Sequence, residues 1–238
     1  MYCDGHIHIL PGLDTGPFLV DESLKMLQEL QDQGVRRIVA ASHYNMERES
    51  VAEYLARRKR SYRAFMNAAR DEGLTKPQCV PVAEVDFMPN ISHIPNLERL
   101  LIPNTRYLLI DLPLGKFSTW MMRELSHMMH KRKIYPVICN TERHLIYGDE
   151  SEQKRLLGLP YAVYQFCWNM MTDGEFSRRI FRLYYEGKTI LFGTNAHNAY
   201  SRSPNMRKMS ERIVKLHGES VFKVLQLKTN AFYDPAFS

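Results

Sequence analysis

DESLKMLQELQDQGVRRIVAASH, residues 21–43, sets out the unit from which the fold follows. Asp21 or Ser23 can cap a helix, Leu24, Leu27 and Leu30 recur along one face of it, and Gly34 can end it. VRRIVAASH then reads as a short apolar strand that stops at His43. The same unit repeats outward from this stretch. A helix from about Glu47 to Glu72, rich in Ala, Arg and Glu, leads into strand QCVPVAEVDF with Glu84, and IPNLERLLIPNTRYLLIDLP turns into an apolar strand ending at Asp111. A helix from Ser118 to Arg132 precedes strand IYPVICN, a short helix near Glu152 precedes YAVYQFCW, and a helix from Glu175 to Glu186 precedes TILFGTN. The stretch from Pro204 to Leu227 is mostly helical in pattern. Alternating helices and short apolar strands predict an α/β fold with a parallel sheet, either rolled into a barrel or open and doubly wound.

No linker, low-complexity tract or internal repeat divides the 238 residues, and 45% hydrophobic content suffices for the core of a single domain spanning residues 1–238. No apolar run approaches the roughly 20 residues that span a bilayer, and the N-terminus lacks a basic stretch followed by an apolar one, so the expected location is the cytoplasm. Cys3, Cys79, Cys139 and Cys167 are scattered without a CxxC pair, which predicts reduced, mostly buried thiols. The net charge is +6, with its densest run in ARRKRSYR (56–63), a solvated helix face by its polar helical context. Nothing supplies a recognised nucleic-acid module, so no nucleic-acid partner is expected.

His43, Glu84, Asp111, Asn140 and Asn195 fall at or just past the C-terminal ends of the expected strands, which converge on one face of a parallel barrel. In CDGHIHILPGLDTG (3–16), His6 and His8 lie two apart on an extended segment, so their imidazoles point the same way and suit one ion. Mixed imidazole and carboxylate ligands fit manganese, iron or zinc and the activation of water for hydrolysis. A cysteine-based phosphatase loop is excluded by spacing: Arg143 is too near Cys139, and the other cysteines have no arginine where that loop needs one. The plain alternative is that these polar groups are simply hydrogen-bonded, with Arg143 an ion-pair partner of Glu142 or Asp111.

DGHIHILPGLDTG, GVRRIVAASHY, VAEVDF, NTRYLLIDLP, YPVICNTERH and FGTNAHNAYSRSPNM occur in a fixed order. Over nearly its full length the chain resembles the bacterial manganese-dependent tyrosine phosphatases of the polymerase and histidinol phosphatase (PHP) superfamily, associated with capsule and exopolysaccharide synthesis. The resemblance implies a distorted (β/α)7-type barrel with up to three divalent metal ions at its C-terminal face. It implies His6, His8 and Glu84 on one metal, Glu84 bridging to a second beside Asp111, and Asp14, His43 and His197 on a third. Arg143 and Arg202 fall where the family's arginines hold phosphate oxygens. Three departures stand out: Asn140 replaces a histidine, Asn195 an aspartate, and Asp111 the more usual glutamate. Asparagine offers a carbonyl oxygen without charge or imidazole, so metal positions near Asn140 and Asn195 are expected to bind more weakly. The implied function is hydrolysis of phosphotyrosine in a protein such as a bacterial tyrosine kinase. The alternative is a degenerate, non-catalytic relative that binds a phosphorylated partner.

Overall fold

The computed structural model describes residues 2–115 and 117–238. Strands β1 (Tyr2–Ile7), β2 (Val35–Tyr44), β3 (Gln78–Asp86), β4 (Tyr107–Asp111), β5 (Tyr135–Ile138), β6 (Val163–Cys167) and β7 (Thr189–Gly193) form one parallel sheet in sequence order. Around it pack α1 (Val20–Asp32), α2 (Val51–Asp71), α3 (Thr119–His130), α4 (Thr141–Tyr147), α5 (Glu150–Leu157), α6 (Gly174–Tyr185), α7 (Met206–His217) and α8 (Glu219–Tyr233). The seven strands make a distorted, nearly closed parallel barrel, as expected. Among the described residues no helix is long and apolar enough to cross a membrane.

Strand alternation separates two cores. Ile38, Ala40, Ala83, Val85, Leu108, Ile110, Tyr164, Phe166 and Phe192 face outward and pack with the helices. Val39, Ala41, Val80, Val82, Leu109, Val137, Val163 and Leu191 form the second core, with Tyr233 among them. Because side chains alternate, each inward file continues in steps of two from apolar residues to polar ones. Val80 and Val82 lead to Glu84, Val39 and Ala41 to His43, Leu109 to Asp111, and Val163 to Gln165. The polar groups therefore gather at the C-terminal mouth, where βα loops build sites.

The barrel closes at a seam between its first and last strands. Asn195 N–H donates to His6 O and His8 N–H to Ala196 O, each at 2.9 Å. The buried Asp4 carboxylate accepts from the Thr194 N–H at 2.8 Å and from its hydroxyl. Two glycines permit this approach: a Cβ at Gly5 would lie 2.5 Å from Phe192 O, and one at Gly193 would lie 2.5 Å from His6 Cβ.

Several element ends differ from the sequence expectation. Helix α1 begins at Val20, without a side-chain cap; Asp21 and Glu22 lie in its first turn and Ser23 is buried, while Gly34 follows with φ +79°. There the acidic first turn complements the helix dipole in place of a cap. Helix α2 begins later than Glu47, because Ser50 and Glu53 form a reciprocal capping box. The C-terminal helical stretch is two helices, broken at Gly218 with φ +87°.

Candidate metal centre

His6 and His8 belong to β1 and the residue after it, and Glu84 is the last fully buried residue of the inward file of β3. His6 Nε2 lies 3.2 Å from Glu84 Oε2, His8 Nε2 lies 3.1 Å from the same oxygen, and the two nitrogens are 3.1 Å apart. Ligand atoms on adjacent corners of an octahedron with bonds of about 2.1 Å are separated by about 3.0 Å, so this triangle fits one face around a divalent ion.

The flanking groups fix which nitrogen faces inward. Gln165 Nε2 donates to Gly5 O and to the Tyr233 hydroxyl, so its Oε1 meets His6 Nδ1 at 2.7 Å. Asp14 Oδ2 meets His8 Nδ1 at 2.9 Å. Each Nδ1 therefore carries the proton it shares with an acceptor, and each Nε2 is aimed at Glu84, as a metal-ligating imidazole requires. Both Glu84 oxygens are buried and have no hydrogen-bond partner among the described residues. Burial alone would raise this carboxyl, yet His6 and His8 hold it well below the usual carboxylate range. Burial opposes charge on His6 as well, and Glu84 reverses that, lifting the imidazole above its ordinary value. The donor set fits a divalent cation, which would compete with protons for the same lone pairs.

His43 adjoins this triangle, its Nε2 3.6 Å from Glu84 Oε2 and its Nδ1 2.9 Å from Asp86 Oδ1. Asn45 donates to the other Asp86 oxygen at 3.0 Å. Against burial, Asp86 together with Glu84 and Asp14 raises His43 to about 9. Asp14 also accepts from the amides of His43 and Gly16 and, despite its burial, is held down to about 2 by these bonds and by His8. The rings of His43 and His197 stack on His8 with centroids 5.1 and 4.0 Å away. Asp14, His43 and His197 are thus gathered around His8, with Asp14 bound to its Nδ1. Asp111 Oδ1 accepts from Arg143 Nη1 at 3.1 Å in an ion pair, while burial and Glu84 raise the Asp111 carboxyl to about 6. The Asp111 alternative for Arg143 is the ion pair found; Glu142 instead accepts from Cys167 N–H.

The opposite side of the mouth is neutral. Asn140 and Asn195 both have φ +49°, a left-handed conformation in which asparagine is enriched among non-glycine residues. Asn195 Nδ2 donates to Asn140 Oδ1 at 2.7 Å, and Asn195 Oδ1 lies 3.0 Å from His197 Nε2. Burial, His8 and Arg202 push His197 down to about 3. Arg202 donates to Asn195 O at 3.1 Å.

Among the described residues, the ligand atoms that approach within 4.8 Å in threes are those of His6, Glu84 and Cys139, of His8, His43 and Glu84, and of His43, Asp86 and Asp111. Asp86, Gln165 and Cys139 were not singled out as site residues by sequence. Asp86 lies two residues beyond Glu84 in the same strand file, and Gln165 is the lone amide in an apolar strand, so alternation carried both signals. Cys139 is buried, and burial with Glu84 and Asp111 pushes its thiol well above the ordinary range.

CpsB of Streptococcus pneumoniae, a tyrosine-protein phosphatase, is 26% identical over 234 residues, covering 93% of each chain. CapC of Staphylococcus aureus is 27% identical over 141 residues, 59% of this chain and 54% of its own. The crystal structures of YwqE from Bacillus subtilis and CpsB from Streptococcus pneumoniae, described as metal-dependent tyrosine phosphatases, provide a match with a TM-score of 0.79 at 20% identity. It covers 98% of this chain and 94% of that one. A lactonase from Listeria monocytogenes shares the fold more distantly, with a TM-score of 0.52 at 15% identity, over 97% of this chain and 93% of its own. The family model for capsular polysaccharide synthesis, CpsB/CapC, matches residues 2–232, and the chain belongs to that family.

Proposed function

We propose that this chain, acting as a single domain over residues 1–238, is a metal-dependent protein-tyrosine phosphatase in the control of capsular or exopolysaccharide synthesis. The observation that carries the reading is the convergence of His6 Nε2, His8 Nε2 and Glu84 Oε2 within 3.2 Å of one another, with both outer imidazole nitrogens engaged elsewhere. His6, His8 and Glu84 would hold one ion, with Glu84 reaching toward a second beside Asp111 and with His43, Asp14, His197, Asn140 and Asn195 around further positions. Manganese is the proposed metal, with iron and zinc compatible with the same nitrogen and oxygen donors. A divalent ion there activates water and neutralises charge on phosphoryl oxygens.

The remaining work belongs to the protein's own side chains. Gln165 and Asp14 hold the two imidazoles in the ligating tautomer, so little reorganisation accompanies loading. Arg143 is anchored on Asp111 through one guanidinium nitrogen, which leaves other N–H groups to bind phosphoryl oxygens as charge builds on them. Arg202 supplies the second such fork from the opposite rim. A cleft of about 720 Å³ beside His43 and Asp111 is lined partly by Leu13, Phe87, Met88 and Pro113, apolar surface suited to an aromatic ring. The phenolate of tyrosine, with a pKa of about 10, leaves without a strong general acid. The substrate is a phosphotyrosine protein such as a bacterial tyrosine kinase, met in the cytoplasm.

The Asn140–Asn195 pair favours a second reading, a chain that retains one metal and binds a phosphorylated partner without turnover. Hydrolysis of a phosphotyrosine peptide by manganese-loaded protein, against the same protein in excess chelator, separates the two. Metal-dependent phosphate release is expected; peptide binding without release would replace the enzyme reading with the second one.

A further inference from the structure

Beyond the metal centre, a cavity of about 390 Å³ opens between the segments that follow β6 and β7 and the start of α7. It is contiguous with the site through Asn195 and Arg202, which line both. Arg202, Lys208 and Arg212 contribute three cations to its wall, and none of the described residues lining it is acidic. Lys208 and Arg212 are exposed and stand one helical turn apart on α7, a like-charge spacing that costs helix stability unless an anion offsets it. The helix reinforces the same sign. Asn205, at its N-cap, donates its side chain to Ser203 Oγ at 2.9 Å, and the first turn is met instead by the neutral Gln33, whose Oε1 accepts from the Arg207 N–H at 2.9 Å, so no carboxylate offsets the positive end of the helix.

We infer that this cavity is a second anion subsite, taking an oxyanion carried by the substrate on a residue near its reacting phosphotyrosine. The inference rests on the phosphatase reading for its substrate, and Arg202 links the two positions. A planar guanidinium held by the Asn195 carbonyl at one edge has its remaining N–H groups for an anion, while the exposed Lys208 and Arg212 add charge from the α7 wall. The chemistry is that of a second phosphate or of an acidic side chain.

Three peptides test it on the full manganese-loaded chain: one with a single phosphotyrosine, one with a second phosphotyrosine nearby, and one with glutamate at that second position. The doubly phosphorylated peptide should show a KM lower by roughly 5-fold at unchanged kcat, and the advantage should fade as salt is raised. Lys208→Ala with Arg212→Ala should abolish the advantage and leave the single-phosphate kinetics unchanged; both residues are exposed, so folding is preserved. A gain with glutamate identifies the subsite as one for any oxyanion, and a gain confined to the second phosphate identifies it as one for phosphate. Equal KM values for all three peptides, or an advantage that survives the double substitution, would overturn the inference. Absence of turnover on every peptide counts against the phosphatase reading instead. Calorimetric binding of the same peptides to the chain and to the double variant then decides the subsite: a loss of affinity confined to the doubly anionic peptides supports it, and unchanged affinity rejects it.

Discussion

On the β1 to β3 side of the barrel mouth, two buried imidazoles and a buried glutamate converge on one point, ringed by Asp14, His43 and Asp86. On the β5 to β7 side, Asn195 donates to Asn140, His197 is kept neutral, and Arg143 and Arg202 bring positive charge to the rim. The first side concentrates negative charge and lone pairs; the second is neutral at its centre and positive at its rim. On the proposed function this difference divides labour across the mouth, with cations held on one side and phosphoryl oxygens met from the other. It also shows how two uncharged side chains can share the mouth: the amide of one asparagine donates to the carbonyl of the other.

The sharpest way to break this comparison is to damage each side in turn. Glu84→Gln keeps the shape and removes the charge that both imidazoles face, and should lower both bound metal and phosphotyrosine hydrolysis, the latter on the order of 10³-fold. Asn195→Ala should cost less than roughly 10-fold in the same assays. Elemental analysis alongside rate measurement checks both, and equal losses would show that the two sides share the metal alike.

Proton competition gives the next effect. His43 is raised to about 9, so below that pH a metal ion must displace a proton from it. Metal affinity should therefore climb by up to roughly tenfold per pH unit from neutrality and flatten near pH 9. The metal-free fold has the opposite dependence: the charged His43 pair stabilises it fully below about pH 6.5, and that stability is lost as pH rises through 9. Titration calorimetry and thermal melts measured with and without manganese should slope in opposite directions.

Restoring the neutral side is a smaller perturbation. Asn140→His with Asn195→Asp should raise metal content and turnover together, by about tenfold in rate. Either change alone should do less than its share, because it leaves the other asparagine without its partner. Two single changes whose effects add up to that of the pair would show that the asparagines are independent.

The seam provides the smallest expected change. Asp4 is buried, and burial raises its carboxyl to about 6 although the Thr194 bonds oppose this. Asp4→Asn retains an oxygen for the Thr194 amide and removes a buried charge, so at pH 7.5 stability should move by less than about 1 kcal/mol. Asp4→Ala leaves the Thr194 groups unmet and should cost about 2 kcal/mol by denaturant unfolding.

The fold was legible because its signals are periodic: Val80, Val82 and Glu84, or Val39, Ala41 and His43, declare an inward file by alternation alone. The residues at strand ends were legible for the same reason. Less visible were side chains whose role depends on contacts distant in sequence. Gln165 matters because it reaches His6 Nδ1, and Asp86 because it reaches His43 Nδ1; neither bond follows from spacing. The φ of +49° at Asn140 and Asn195 was equally hidden, since a lone asparagine is compatible with many conformations.

The seam that joins His6 and His8 to residues 195 and 196 has a consequence for the order of events in synthesis. The histidine pair belongs to the first strand and the residue after it, yet its backbone partners are made only after the seventh strand. Until then His6 and His8 are held from one side only. An ion held by His6, His8 and Glu84 would therefore favour the closed seam, since the seam is what fixes the two histidines from their second side.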